Sequence, residues 1–241
     1  MIDWLRRPPA DPVLELAGRT LPIHLHRNAR ARRLTLRLAR DGTAVRLTLP
    51  PWAPSKDAIA FAQAKAAWLE AELAKLPAPR AIEPGGTLTY RGRELRIEWQ
   101  AGNSRRILAD ETRVATGGPA ENLSARLNRW LEREALRLCE ADLAHYCGAA
   151  GIAAPPPLRT SRARARWGSC SNNSGVRINW RLVQAPDFVR RSVVAHEVAH
   201  LVHFDHSPAF HALLSDIYEG DIGEADGWLK RHGRSLYAAF G

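Results

Sequence analysis

Two histidines with three residues between them, in the run His196-Glu197-Val198-Ala199-His200, constrain this chain more than any other feature. On a helix, positions four apart differ by about 40° around the axis, so both rings can reach one ion. Glu197 lies about 100° round from His196, beside such an ion rather than among its ligands, where a carboxylate can take a proton from water and return it to a leaving group. The pair therefore demands a helix that turns one face to a metal and buries the rest. The flanks meet that demand. Ala185-Pro186-Asp187 reads as a helix start, and Phe188, Val189, Val193, Val194, Val198, Leu201 and Val202 fall at helical spacing. Asp205-His206-Ser207-Pro208 reads as a turn and a fresh helix, capped by Ser207 with Pro208 at its first position.

This is the pattern of a hydrolytic zinc site, which takes three protein ligands and keeps a fourth position open. His206 is the first candidate for the third ligand, with His203 and Glu219 as alternatives. Five of the nine histidines fall between His196 and His211, and Glu197 would otherwise sit among valines without an evident partner; both points weigh against an ordinary polar stripe. The spacing of His196, His200 and His206 equals that of metzincins. His203, however, stands at their glycine, and the only methionine is Met1, so no Met-turn is present downstream.

Further motifs accompany the site: Arg166-Trp167-Gly168-Ser169-Cys170, Ile178-Asn179-Trp180-Arg181-Leu182, Ala185-Pro186, and His206-Ser207-Pro208-Ala209-Phe210. Together with Val193 to Leu201 they resemble the YgjP-like metallopeptidase family, related to SprT-like zinc proteases. The resemblance is strong over the C-terminal 80 or so residues. It is weaker over Arg32 to Pro50 and a helix from Ala58 to Leu76. It implies a zincin-like metallopeptidase domain with His196, His200 and His206 as Zn2+ ligands and Glu197 as the catalytic carboxylate. Asp205 and His211 depart from the family pattern, where asparagine and tryptophan are usual; neither change removes a ligand.

The expected fold class is α+β: a β-rich N-terminal domain with one helix over 1–118, then the metallopeptidase domain over 119–241, with a small β-hairpin beside the histidine helix. At 241 residues and 45% apolar, the chain can bury a real core. Alternation in 34–38 and 44–49 around Asp41-Gly42 predicts a hairpin, and 88–90, 95–99 and 105–108 read as short strands. Asn122 to Tyr146 has helical period, Pro155-Pro156-Pro157 reads as a stiff linker, and no internal repeat is apparent. A second hairpin is expected from 158–166 and 176–183, turning through 171–175, with Val176, Ile178, Trp180 and Leu182 inward and Arg177, Asn179 and Arg181 outward. Its edge could align an extended peptide. Cys139, Cys147 and Cys170 indicate neither a disulfide framework nor a thiolate zinc site, and Cys170 reads as a packing residue. The opening Met1 to Pro9 has no apolar signal core and the rest of the chain has no long apolar run, so a cytoplasmic protein with no membrane partner is expected.

The net charge of +10 gathers in Arg27 to Arg46 and in Arg159, Arg162, Arg164, Arg166, Arg177, Arg181, Arg190 and Arg191. Clusters of this kind serve as solvated faces, as nucleic-acid surfaces or as phosphate sites. The leading expectation is a zinc metallopeptidase acting on a peptide or protein substrate, with a zinc-bound water activated by Glu197 and Arg166 steadying the oxyanion. A metal-dependent hydrolase of nucleoside triphosphates and a DNA-binding module with structural zinc are the alternatives.

Overall fold

The computed structural model describes residues 12–171 and 175–240; the opening Met1 to Pro9 and most of the expected turn over 171–175 lie outside them. The fold is mixed α+β and divides into two compact units, 1–77 and 78–241. The expected border at 118/119 instead falls inside the second unit.

In the first unit, β1 (Val13–Leu16), β2 (Arg19–Arg27), β3 (Thr35–Leu38) and β4 (Val45–Leu49) form a sheet in the order β1-β2-β4-β3. The predicted hairpin is the antiparallel pair β3 and β4. The first two strands escape a sequence reading because Pro22 interrupts them, yet Pro22 precedes the parallel ladder of β2 on β4, which begins at Ile23. Ile23, Val45, Leu47 and Leu49 bury one sheet face in a common core with Ala58, Ala62 and Leu69. Those last residues come from α1 (Ser55–Ala64) and α2 (Ala66–Ala74), the predicted single helix broken at Lys65.

The second unit opens with β5 (Thr87–Tyr90), β6 (Arg93–Gln100), β7 (Leu108–Ala109) and β8 (Arg113–Gly117), in the order β5-β6-β8-β7. Of the expected strand over 105–108, only its last residue lies in β7. This is the topology of the first sheet repeated: an antiparallel hairpin, a parallel crossover and a second antiparallel pair. Both opening hairpins turn on two residues of positive φ, Ala17-Gly18 and Arg91-Gly92, as twisted strands joined by two residues require. Leu14, Gly18, Arg19, Leu21 and Ile23 recur as Leu88, Gly92, Arg93, Leu95 and Ile97. Asp41 and Asp110 each close the later turn by accepting from the amide and hydroxyl of Thr43 and Thr112. The chain therefore contains an internal repeat, contrary to the expectation from sequence. Its few shared residues are spread over loops of unequal length.

Leu88, Leu95, Ile97 and Val114 pack with Leu123, Leu127, Trp130 and Leu131 of α3 (Leu123–Ala149), which is why the second sheet belongs with the C-terminal helices rather than with the first sheet. A three-stranded sheet comes next: β9 (Leu158–Ser161), β10 (Gly168–Ser171) and β11 (Gly175–Asn179), in the order β10-β11-β9. The expected hairpin is corrected here. The antiparallel partner of β11 is β10, while 158–161 lies parallel on its other side. Pro157 accepts a hydrogen bond from the Val176 amide at 3.0 Å, so the proline run leads directly into this sheet.

The inward-outward alternation also stops early. Asn179 accepts from the Arg181 amide and turns the chain into a 3₁₀ helix, Trp180–Gln184, in which every residue is buried. Asn179 donates to the Ala163 carbonyl at 2.7 Å, and Arg181 donates twice to the Phe240 carbonyl at 3.1 and 2.5 Å. Alternation predicts an outward side chain for both. They are buried because the chain terminus and a loop supply acceptors for them. The helices α4 (Asp187–Val202), α5 (Pro208–Ile217) and α6 (Ile222–His232) complete the unit.

Candidate metal centre

The helix α4 begins as its sequence predicts, with Pro186 before its first turn and Asp187 within it. Its position is fixed from two sides. Arg190, buried, donates to Asp142 of α3 at 2.7 Å and to Asp187 at 2.5 Å. The β5–β6 turn docks just before the helix, where the Arg91 amide donates to Val183 at 2.7 Å and the Gly92 amide to Gln184 at 3.0 Å. A Cβ at Gly92 would lie 2.8 Å from the Pro186 ring, so this approach requires glycine. Arg91 also grips Asp187. Burial opposes the charge on Asp187, but Arg91 and Arg190 outweigh it and hold the carboxyl below its usual range.

Near the end of α4, His196 and His200 converge. Their Nε2 atoms lie 3.1 Å apart, and the Nε2 of His206 lies 3.4 Å from that of His196. One ligand nitrogen from each ring falls within 4.8 Å of the others. Nitrogens held about 2.0 Å from one tetrahedral ion stand about 3.3 Å apart, so the donor set fits a zinc-sized cation. Tautomer chemistry agrees. His200 Nδ1 lies 3.0 Å from the His203 carbonyl, which can only accept, so the proton is on Nδ1 and the Nε2 lone pair faces the other rings. Burial, then the neighbouring His200, His206 and His211, push His196 down to about 4, leaving a neutral imidazole at neutral pH.

Among the described residues, neither alternative for the third position joins this cluster of nitrogens. His203 contributes its carbonyl to His200. Glu219 pairs with Arg191 at 2.5 Å and accepts from Tyr146 at 3.0 Å. His206 owes its position to the turn, where Asp205 accepts from the Ser207 amide at 3.3 Å and Ser207 caps α5 through the Phe210 amide. Asp205 is therefore a turn residue rather than a partner of the His206 ring. By sequence, Phe210 is one more apolar position. In the structure its buried ring lies under all three imidazoles, with centroids 5.0, 4.5 and 4.8 Å from His196, His200 and His206. His211 is exposed, its ring 6.3 Å from that of His206.

Glu197 is buried beside the cluster, and burial pushes its carboxyl up to about 7 against the opposing charge of Arg166. It rests on β10. A Cβ at Gly168 would come within 2.3 Å of a Glu197 carboxylate oxygen, so only glycine leaves that space. A cavity of about 320 Å³ unites these groups, lined by Gly168, Ser169, Cys170, His196, Glu197, His200, Phe204 and His206. Arg166 is exposed and outside that lining, though its charge reaches Glu197. Burial, then Glu197, raise the Cys170 thiol, which keeps it protonated. The other arginines expected near the cleft are largely structural: Arg181 and Arg190 are buried, Arg191 pairs with Glu219, and Arg162 pairs with Glu132 at 2.6 Å.

A protein-family model described as YgjP-like, metallopeptidase domain matches residues 32–232. No curated protein and no solved structure matches the chain. Among the described residues, no helix is long and apolar enough to cross a membrane.

Proposed function

The chain belongs to the YgjP-like metallopeptidase family, and on that premise we propose that it is a zinc-dependent peptidase that uses His196, His200 and His206 as ligands and Glu197 as general base. The observation that carries this reading is the convergence of three imidazoles and one buried carboxylate on a single cavity. A zinc ion bound there would supply Lewis acidity toward a carbonyl oxygen and make water more acidic. Glu197 takes the proton of the attacking water and passes it to the amine that leaves, which suits a carboxyl whose affinity for protons burial has raised. Arg166 adds positive charge at the rim, favouring the carboxylate form of Glu197 and the developing oxyanion.

Substrate alignment falls to β10. It is an edge strand with β11 on one side, and its residues Gly168, Ser169 and Cys170 line the cavity. An extended peptide added to that edge would be held by main-chain hydrogen bonds, which any sequence provides. This geometry favours peptide hydrolysis over phosphoanhydride hydrolysis.

The test is a side-by-side assay of the zinc-loaded protein and Glu197→Gln on an unfolded protein substrate, with fragments read by mass spectrometry. Cleavage by the parent and not by the variant, at equal zinc content, is expected. Phosphate release from a nucleoside triphosphate that needs Glu197, without any proteolysis, would overturn the proposal.

A further inference from the structure

The internal repeat provides a control within the molecule: two copies of one sheet show which surface residues the fold needs and which were added. By register, Arg46 on β4 faces His24 on β2 and Arg37 on β3. All three are exposed, on the sheet face opposite the buried Ile23, Val45 and Leu47. In the second copy the same row reads Glu98, Ala115 and Leu108. The fold therefore does not require cations there. Like charges directly across a ladder destabilise it, so Arg37 opposite Arg46 is a cost that an outside anion would relieve.

Other features of the first unit point the same way. Residues 12–77 hold eleven Lys and Arg against five Asp and Glu. The loop from β2 to β3 adds exposed Arg30, Arg32 and Arg33. Among the described residues, no carboxylate holds any of these five arginines, although Asp41, Glu15, Glu70 and Glu72 lie in the same unit.

The same end of the sheet carries an aromatic ring. Trp52 is 74% exposed on the segment after β4. That segment is locked from beneath: Arg27 donates to the carbonyls of Pro50, Pro51 and Ala53 at 3.4, 2.9 and 2.9 Å and to the Ser55 hydroxyl at 3.1 Å. The basic loop starts beside it, with the Asn28 amide donating to the Leu49 carbonyl at 3.0 Å. An exposed indole on a pinned segment, at the end of the sheet from which the basic loop departs, combines a stacking platform with a phosphate track.

We propose that the first unit is a binding module for single-stranded nucleic acid, with Trp52 stacking on a base and Arg30, Arg32, Arg33, Arg37 and Arg46 tracking the phosphates. A duplex would satisfy the arginines but offers no unstacked base to the indole. An anionic membrane would satisfy both, but one indole with the exposed Pro51 and Pro54 beside it in the chain offers little apolar area for insertion.

The full chain should be titrated into a labelled oligo(dT) about 16 nucleotides long, with anisotropy read across a salt series. Binding is expected to weaken with salt, the log-log slope flattening by about 0.7 for each phosphate that Arg37→Ala/Arg46→Ala no longer neutralises. Trp52→Ala should bind about tenfold more weakly with an unchanged slope, and Trp52→Phe should restore most of the affinity. Glu197→Gln should bind like the parent, which separates this activity from the peptidase reading. Circular dichroism would verify that each surface variant is folded. No binding at low salt, duplex bound as tightly as oligo(dT) with Trp52→Ala neutral, or binding to phosphatidylserine vesicles but not to oligo(dT), would each overturn the proposal.

Discussion

A methyl group added at Gly168 would meet Glu197 before anything else. Gly168→Ala should therefore displace the general base and spare the three imidazoles. A misplacement of about 1 Å costs about 10²-fold in rate, and zinc content should stay at the parental level. Proteolysis and metal analysis on one preparation would check this; an active variant would show that Glu197 need not rest on β10. The run His196 to His200 is legible in the sequence because helical spacing alone brings those groups together. His206 is legible through Ser207 and Pro208, which fix where α5 begins. Gly168 and Phe210 stand in motifs that accompany the site, but what they do there is not legible, and neither is the part of the His203 carbonyl. Their contributions are a missing side chain, an apolar ring and a backbone oxygen, and none of these carries a residue-type signal for chemistry.

The helix α4 owes its start to Asp187, which joins a hairpin turn to the buried Arg190. The carboxyl is depressed in the folded state, so its stabilisation is complete above the unfolded value of about 3.9 and is lost as pH falls through the folded value. Asp187→Asn should lower stability at pH 7 by about 1–2 kcal/mol, a figure kept small because the side chain is partly solvated. In urea melts at successively lower pH the variant and parent should converge below that range; a gap of constant size from neutral pH into acid would contradict the role given to Asp187. Helices α3, α4 and α5 are readable from amphipathic period and capping residues. The sheet beside them is not, because alternation fixes faces and says nothing about neighbours. β9 and β10 are both short strands within reach of β11, and only tertiary packing decides which one flanks it antiparallel. Arg181 shows the same limit: an arginine in an alternating run reads as surface until the Phe240 carbonyl arrives to receive it.

Metal binding should register in the stability of the second unit as a whole, since its unfolded state holds no preformed cluster. With zinc at 100 times its dissociation constant, stabilisation would be about 2.7 kcal/mol. A chelator should reverse the rise in melting temperature, and His200→Ala should abolish it; a melting temperature indifferent to zinc would mean that the three imidazoles hold no ion. The mixed α+β class is visible in the order of patterns along the chain, whereas the repeat is hidden because loops of different length shift its matching residues out of step. That repeat also governs how the gene can be divided. The glycine pair before Pro119 looks like a natural border, and a chain begun there would keep every histidine of the cluster. It would also strip the cover from Leu123, Leu127, Trp130 and Leu131 and leave Asp187 without Arg91. A catalytic fragment must therefore begin near Ala78. In a nested deletion series, yield of soluble protein will drop abruptly once the cut passes into β5, long before it reaches any residue that touches the substrate.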